Sequence, residues 1–155
     1  RLLEILAMDG FPPRTHRTLA EFASLEYILL GDLRDLLEEE PSEQTSHWLL
    51  SVLDALLDTL PQELALKSQD GYLEDVLSEH PHWQPQVERL RSEYVRLCVW
   101  LEELRDRLVS RAPFEEIANR LRYDLREWMT ALQAYHRHET RLLQASVNLE
   151  VGGGD

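Results

Sequence analysis

The chain has 155 residues, 43% apolar and 29% charged, which fits one globular domain able to fold around its own core without disulfides or structural metal. Its formal net charge of -13 makes nucleic acid and anionic membrane poor partners, because both repel an acidic surface. The single cysteine, Cys98, leaves no intramolecular disulfide to form, and neither a signal-peptide pattern nor an apolar run of roughly 18 residues is visible, so the expected location is the cytoplasm.

Four segments carry apolar residues at helical spacing, and the residues between them are those that end helices. After Pro12-Pro13, the first spans about residues 18–39, with Leu19, Phe22, Leu25, Leu29, Leu33 and Leu36 on one stripe. Pro41 and Ser42 interrupt, and a second segment covers residues 43–76 through Leu49, Leu53, Leu56 and Leu60. Pro61 lies inside it, where a missing N–H and a ring clash predict a bent helix. Residues 79–85 hold two prolines and two histidines and read as a connection.

The third segment, residues 85–110, is the most regular: Val87, Leu90, Tyr94, Leu97, Leu101, Leu104 and Leu108 alternate spacings of three and four. The fourth, residues 113–146, opens on Pro113, which suits a first helical turn. Its stripe runs Ile117, Leu121, Leu125, Trp128, Leu132, Tyr135, Glu139, Leu142, ahead of a flexible run from Gly152 to Asp155. No stretch alternates as a half-buried strand would, so the pattern predicts an all-α, antiparallel up-and-down four-helix bundle over residues 1–155. Leu29, Leu53, Leu97, Leu101, Trp128 and Leu132 are expected in or near its core.

Several stripe positions hold polar residues. Extending the second stripe past Leu60 reaches Glu63 and Lys67; the third and fourth place Tyr94, Tyr135 and Glu139 inward, and Glu26 falls between Phe22 and Leu29. Such groups are costly to bury unless paired, so several at facing positions predict a shared polar network of Glu63, Lys67, Tyr94, Tyr135 and Glu139. The bland alternative is that stripes drift to the surface near helix ends and that Glu63 and Lys67 form an exposed i, i+4 pair.

The segments QELALKSQDGYL (residues 62–73), VERLRSEYVRL (87–97), LEYILL (25–30) and the closing RLLQASVNLEVGGGD resemble the hemerythrin-like HHE domains, over nearly the whole chain. That resemblance implies a hemerythrin-like bundle, and it also marks a departure. Where the family places iron-binding histidines, the aligned residues are Tyr27, Glu63, Tyr94 and Tyr135; where it places bridging carboxylates, they are Lys67 and Glu139. His138 is a further candidate if the fourth-helix register shifts. Of His16, His47, His80, His82, His136 and His138, none forms an i, i+4 pair on a helix, and at most one of the last two can face inward.

The resemblance and the substitutions together imply a degenerate hemerythrin-like domain, not an enzyme, that has lost iron and oxygen binding and acts as a regulatory or protein-interaction module. No cofactor is expected. In it Lys67 supplies the internal positive charge, with Glu63, Glu139 and Glu26 as counter-ions. The alternative is a non-haem iron or manganese site with Tyr27, Glu63, Tyr94, Tyr135, Glu139 or His138 as ligands and redox or oxygen chemistry; hard oxygen donors suit such ions, but a central Lys67 repels them. A protein partner with a basic or apolar surface fits the charge, with the chain a monomer or homodimer. Cys98 reads as an inert core residue, and Trp48, Trp83, Trp100 and Trp128 as packing residues.

Overall fold

A computed structural model describes residues 17–69, 72–110 and 114–152. The expectations for Pro12, Pro13, His16, Gly71, Pro113 and residues 153–155 lie outside that set, as does the side chain of Ile117. Among the described residues every regular element is helical: α1 Leu19–Glu38, α2 Glu43–Gln69, α3 Tyr72–Glu79, a 3-10 turn Pro81–Trp83, α4 Gln84–Leu108 and α5 Phe114–Gly152. None of these helices is long and apolar enough to cross a membrane.

Local chemistry sets the ends. Thr18 caps α1, its hydroxyl accepting the amide of Glu21 at 3.2 Å. At the start of α2, Ser42 and Thr45 bond reciprocally: the Ser42 amide donates to Thr45 Oγ1 at 2.7 Å and the Thr45 amide to Ser42 Oγ at 3.1 Å. Pro85 enters α4 in its first turn, where its missing N–H costs nothing. Helix α2 passes through Pro61 without ending. Side-chain donors flank the missing amide, Thr59 Oγ1 reaching the Ala55 carbonyl at 2.7 Å and Gln62 Nε2 the Asp58 carbonyl at 2.9 Å, while Leu56, Leu57, Leu60 and Leu64 hold both sides of the proline in the core.

Over the second segment the structure describes two helices, α2 ending at Gln69 and α3 beginning at Tyr72, and the two residues between them lie outside the described set. Helix α5 also continues past residue 146, to Gly152.

One apolar cluster draws on α1, α2, α3, α4 and α5, and Leu29, Leu53, Leu97, Leu101, Trp128 and Leu132 are all buried in it. The long helices meet in a ring. Side-chain bonds tie them together at paired positions. Glu63 and Asp54 of α2 face Tyr94 and Arg105 of α4. Glu93 and Arg107 of α4 face His138 and Asp124 of α5. Glu26 and Leu37 of α1 face His136 and Arg126 of α5. Trp128, wholly buried, ties α5 to α4 by donating its indole N–H to the Leu97 carbonyl at 2.8 Å.

Trp128→Phe removes that bond and part of the largest fully buried side chain. It is expected to lower stability by about 2–3 kcal/mol, read as a lower denaturant midpoint with an unchanged slope.

Candidate functional site

Polar groups from all four long helices converge in the interior. Lys67 on α2 is 3% exposed, and its ammonium donates to Glu139 Oε2 on α5 at 2.8 Å. Glu63, one turn earlier on α2, places Oε1 at 3.6 Å from the same nitrogen. Two phenols close the group: Tyr94 of α4 donates to Glu63 Oε2 at 3.3 Å, and Tyr135 of α5 to Glu139 Oε2 at 2.9 Å. Their rings meet edge to face at 4.9 Å, and the ammonium lies 5.4 and 5.6 Å from the two ring centres, within cation–π reach.

A second cation joins from α5. His136 Nε2 lies 3.0 Å from Glu26 Oε1 of α1, and its Nδ1 is 3.8 Å from Glu139 Oε1. The Tyr72 hydroxyl, at the start of α3, is buried near Glu139 without a hydrogen bond of acceptable geometry to any described residue.

Every residue of the expected network, Glu63, Lys67, Tyr94, Tyr135 and Glu139, is in this cluster, together with Glu26. Two aligned positions are not. Tyr27 is 81% exposed, because one residue along a helix turns the side chain by about 100° and its neighbour Glu26 takes the inward place. His138 also points away, its Nδ1 lying 3.0 Å from Glu93 Oε1 on the outer side of α4. His136 and Tyr72 were missed as members. For His136 a signal existed: Met129, Leu132, His136, Glu139 and Leu143 form their own three-four series, parallel to the one through Tyr135.

The surroundings set the protonation states. Burial raises the Glu63 carboxyl, Lys67 lowers it and Glu26 raises it again, leaving it at about 7. Burial alone would lower His136, but the neighbouring carboxylates of Glu139 and Glu26 more than offset it and hold it at about 9. Glu139 behaves oppositely: burial raises it, yet His136 and Lys67 outweigh that and bring it to about 2. Burial, reinforced by the nearby carboxylates, pushes all three tyrosines upward, so they remain neutral donors. Burial also pushes the Cys98 thiol up to about 12, which leaves it without thiolate character at neutral pH.

A di-iron centre needs several imidazoles, whereas among the described residues this interior offers one. Lys67 Nζ stands between the carboxylates of Glu63 and Glu139. Among the described residues no group of three or more His, Cys, Asp or Glu side chains is arranged to hold a metal. No family model matches the chain, and no curated protein or solved structure matches it either.

The pH dependence of stability follows from these shifts. Glu63 and His136 hold protons more tightly folded than unfolded. The stabilisation from Glu63 is full below its ordinary 4.5 and lost as pH rises through about 7; that from His136 is full below 6.5 and lost as pH rises through about 9. Glu139 works the other way, its contribution present above 4.5 and lost as pH falls through about 2. Thermal denaturation is therefore expected to show maximum stability near pH 4.5, declining steadily toward pH 9. Glu63→Gln should flatten the part of that decline between 4.5 and 7.

Proposed function

We propose that the chain is a single-domain, hemerythrin-like, antiparallel up-and-down four-helix bundle in which the Lys67 ammonium takes the place of a metal. Its role is that of a regulatory or protein-interaction module without catalysis, in the cytoplasm, as a monomer or homodimer. The observation that carries this is the position of Lys67 Nζ, 2.8 Å from Glu139 Oε2 and 3.6 Å from Glu63 Oε1, with 4% of its side chain exposed.

Three features support it. The opposed numbering of facing residues on neighbouring helices is what an up-and-down connection produces. A cation already neutralises the carboxylates that would otherwise attract a metal, and the tyrosines are committed as hydrogen-bond donors to those carboxylates. The buried thiol offers no nucleophile at neutral pH. For partners, the excess of 29 acidic over 16 basic residues favours a protein with a basic or apolar surface over nucleic acid or anionic membrane.

Protein purified without a metal-affinity tag, and then incubated with ferrous or manganous salt and desalted, is expected to carry neither ion in stoichiometric amount and to show no absorption in the visible. Near-stoichiometric iron with a tyrosinate charge-transfer band would instead establish the oxygen-ligand metal site, in which Glu63, Tyr94, Tyr135 and Glu139 would be the donors.

A further inference from the structure

Between the first half of α4 and the second half of α5 the surface opens into a groove of about 450 Å³ that shares no residue with the internal cluster. Its floor is apolar. Leu90 of α4 is almost wholly buried, and Leu142 of α5 packs partly buried on the same core. Glu93 and His138, 3.0 Å apart, also line it.

Arg89 on α4 and Arg141 on α5 line the groove as well, and neither makes a hydrogen bond or ion pair with another described residue. Arginines elsewhere that reach a neighbouring helix are engaged: Arg105 by Asp54, Arg107 by Asp124, and Arg126 by the Leu37 carbonyl. The groove's one carboxylate, Glu93, is already engaged by His138. On a chain of net charge -13, two unengaged guanidinium groups from two helices lining one groove with leucines make a local site of the opposite sign.

Guanidinium groups bind carboxylates through two parallel N–H···O bonds, which fixes orientation as well as charge. The leucine floor accepts an apolar chain whose far end need make no polar contact. A volume of this size lies within the roughly 300–1,000 Å³ of small-molecule sites.

We propose that this groove binds a small organic carboxylate bearing an apolar chain, with its head held by Arg89 and Arg141 and its chain along Leu90 and Leu142. An uncharged or cationic head on the same chain leaves both guanidinium groups unanswered. Affinity is then set by the head, and the chain contributes area.

Octanoate is titrated into the full chain at pH 7, followed by the methyl resonances of leucine and the Nε–H resonances of arginine. The expected result is saturable one-to-one binding, with shifts concentrated at Leu90, Leu142, Arg89 and Arg141. Arg89→Gln and Arg141→Gln should each weaken it by about tenfold, and octan-1-ol and octylamine should bind the unaltered chain more weakly by a similar factor. Both arginines are exposed, so the variants should keep the wild-type melting curve; should either fail to fold, the comparison of octanoate with octan-1-ol on the unaltered chain decides. Binding that does not saturate, shifts centred on other residues, or equal affinity for octanoate and octan-1-ol would overturn the proposal.

Discussion

Three carboxyl groups and two cations share one buried space, and the rest of the structure is arranged around balancing them. Glu26, Glu63 and Glu139 face Lys67 and His136, so full ionisation would leave one negative charge without a partner. An unpaired buried charge costs several kcal/mol by order of magnitude. The excess is reduced at Glu63, which lies farther from Lys67 than Glu139 does and close to Glu26, and which burial raises to about 7, so that it holds a proton about half the time at neutral pH. Glu139, which receives both cations and the Tyr135 hydroxyl, is the one that stays ionised.

That balance requires all four long helices to be present in one register. Glu26 comes from α1, Glu63 and Lys67 from α2, Tyr94 from α4, and Tyr135, His136 and Glu139 from α5. A network of this kind adds little net stability over an apolar core of equal volume. What it imposes is a penalty on any arrangement that leaves one member alone. Leucine stripes of the same period on every helix tolerate a slip of one turn, whereas the Lys67–Glu139 bond at 2.8 Å does not. The two tyrosine rings lie beside the ammonium of Lys67, a residue 3% exposed, so little water reaches the ion pair, which strengthens it.

Periodicity made the interior legible wherever a stripe had one reading. In α4 the three-four series from Val87 to Leu108 is buried at every position, and the polar members of that series and its counterparts on the other long helices fall in the cluster. It was ambiguous where two parallel series cross α5, one through Tyr135 and one through His136; both residues contact the cluster, and a strict single stripe picks one. Tyr27 shows the limit of aligning short motifs, since a match that ignores the helical phase set by Phe22, Glu26 and Leu29 sends an exposed residue inward. Proline breaks a helix in isolation, but Pro61 has packed leucines and side-chain donors on both sides, and the helix survives there. Tyr72 had no periodic signal, because it belongs to a helix of eight residues that the sequence merges into its neighbour.

The Lys67–Glu139 pair is tested most directly by a double-mutant cycle: Lys67→Met, Glu139→Gln and the double variant, each unfolded by denaturant at pH 7. With both side chains largely buried, 4% and 14% exposed, each single change should cost about 3–5 kcal/mol. The double should cost little more than either one, because the second change removes the group that the first left unpaired. Single variants that are nearly neutral, or a double variant whose cost is the plain sum of the two, would contradict an internal ammonium held by carboxylates at the centre of the bundle.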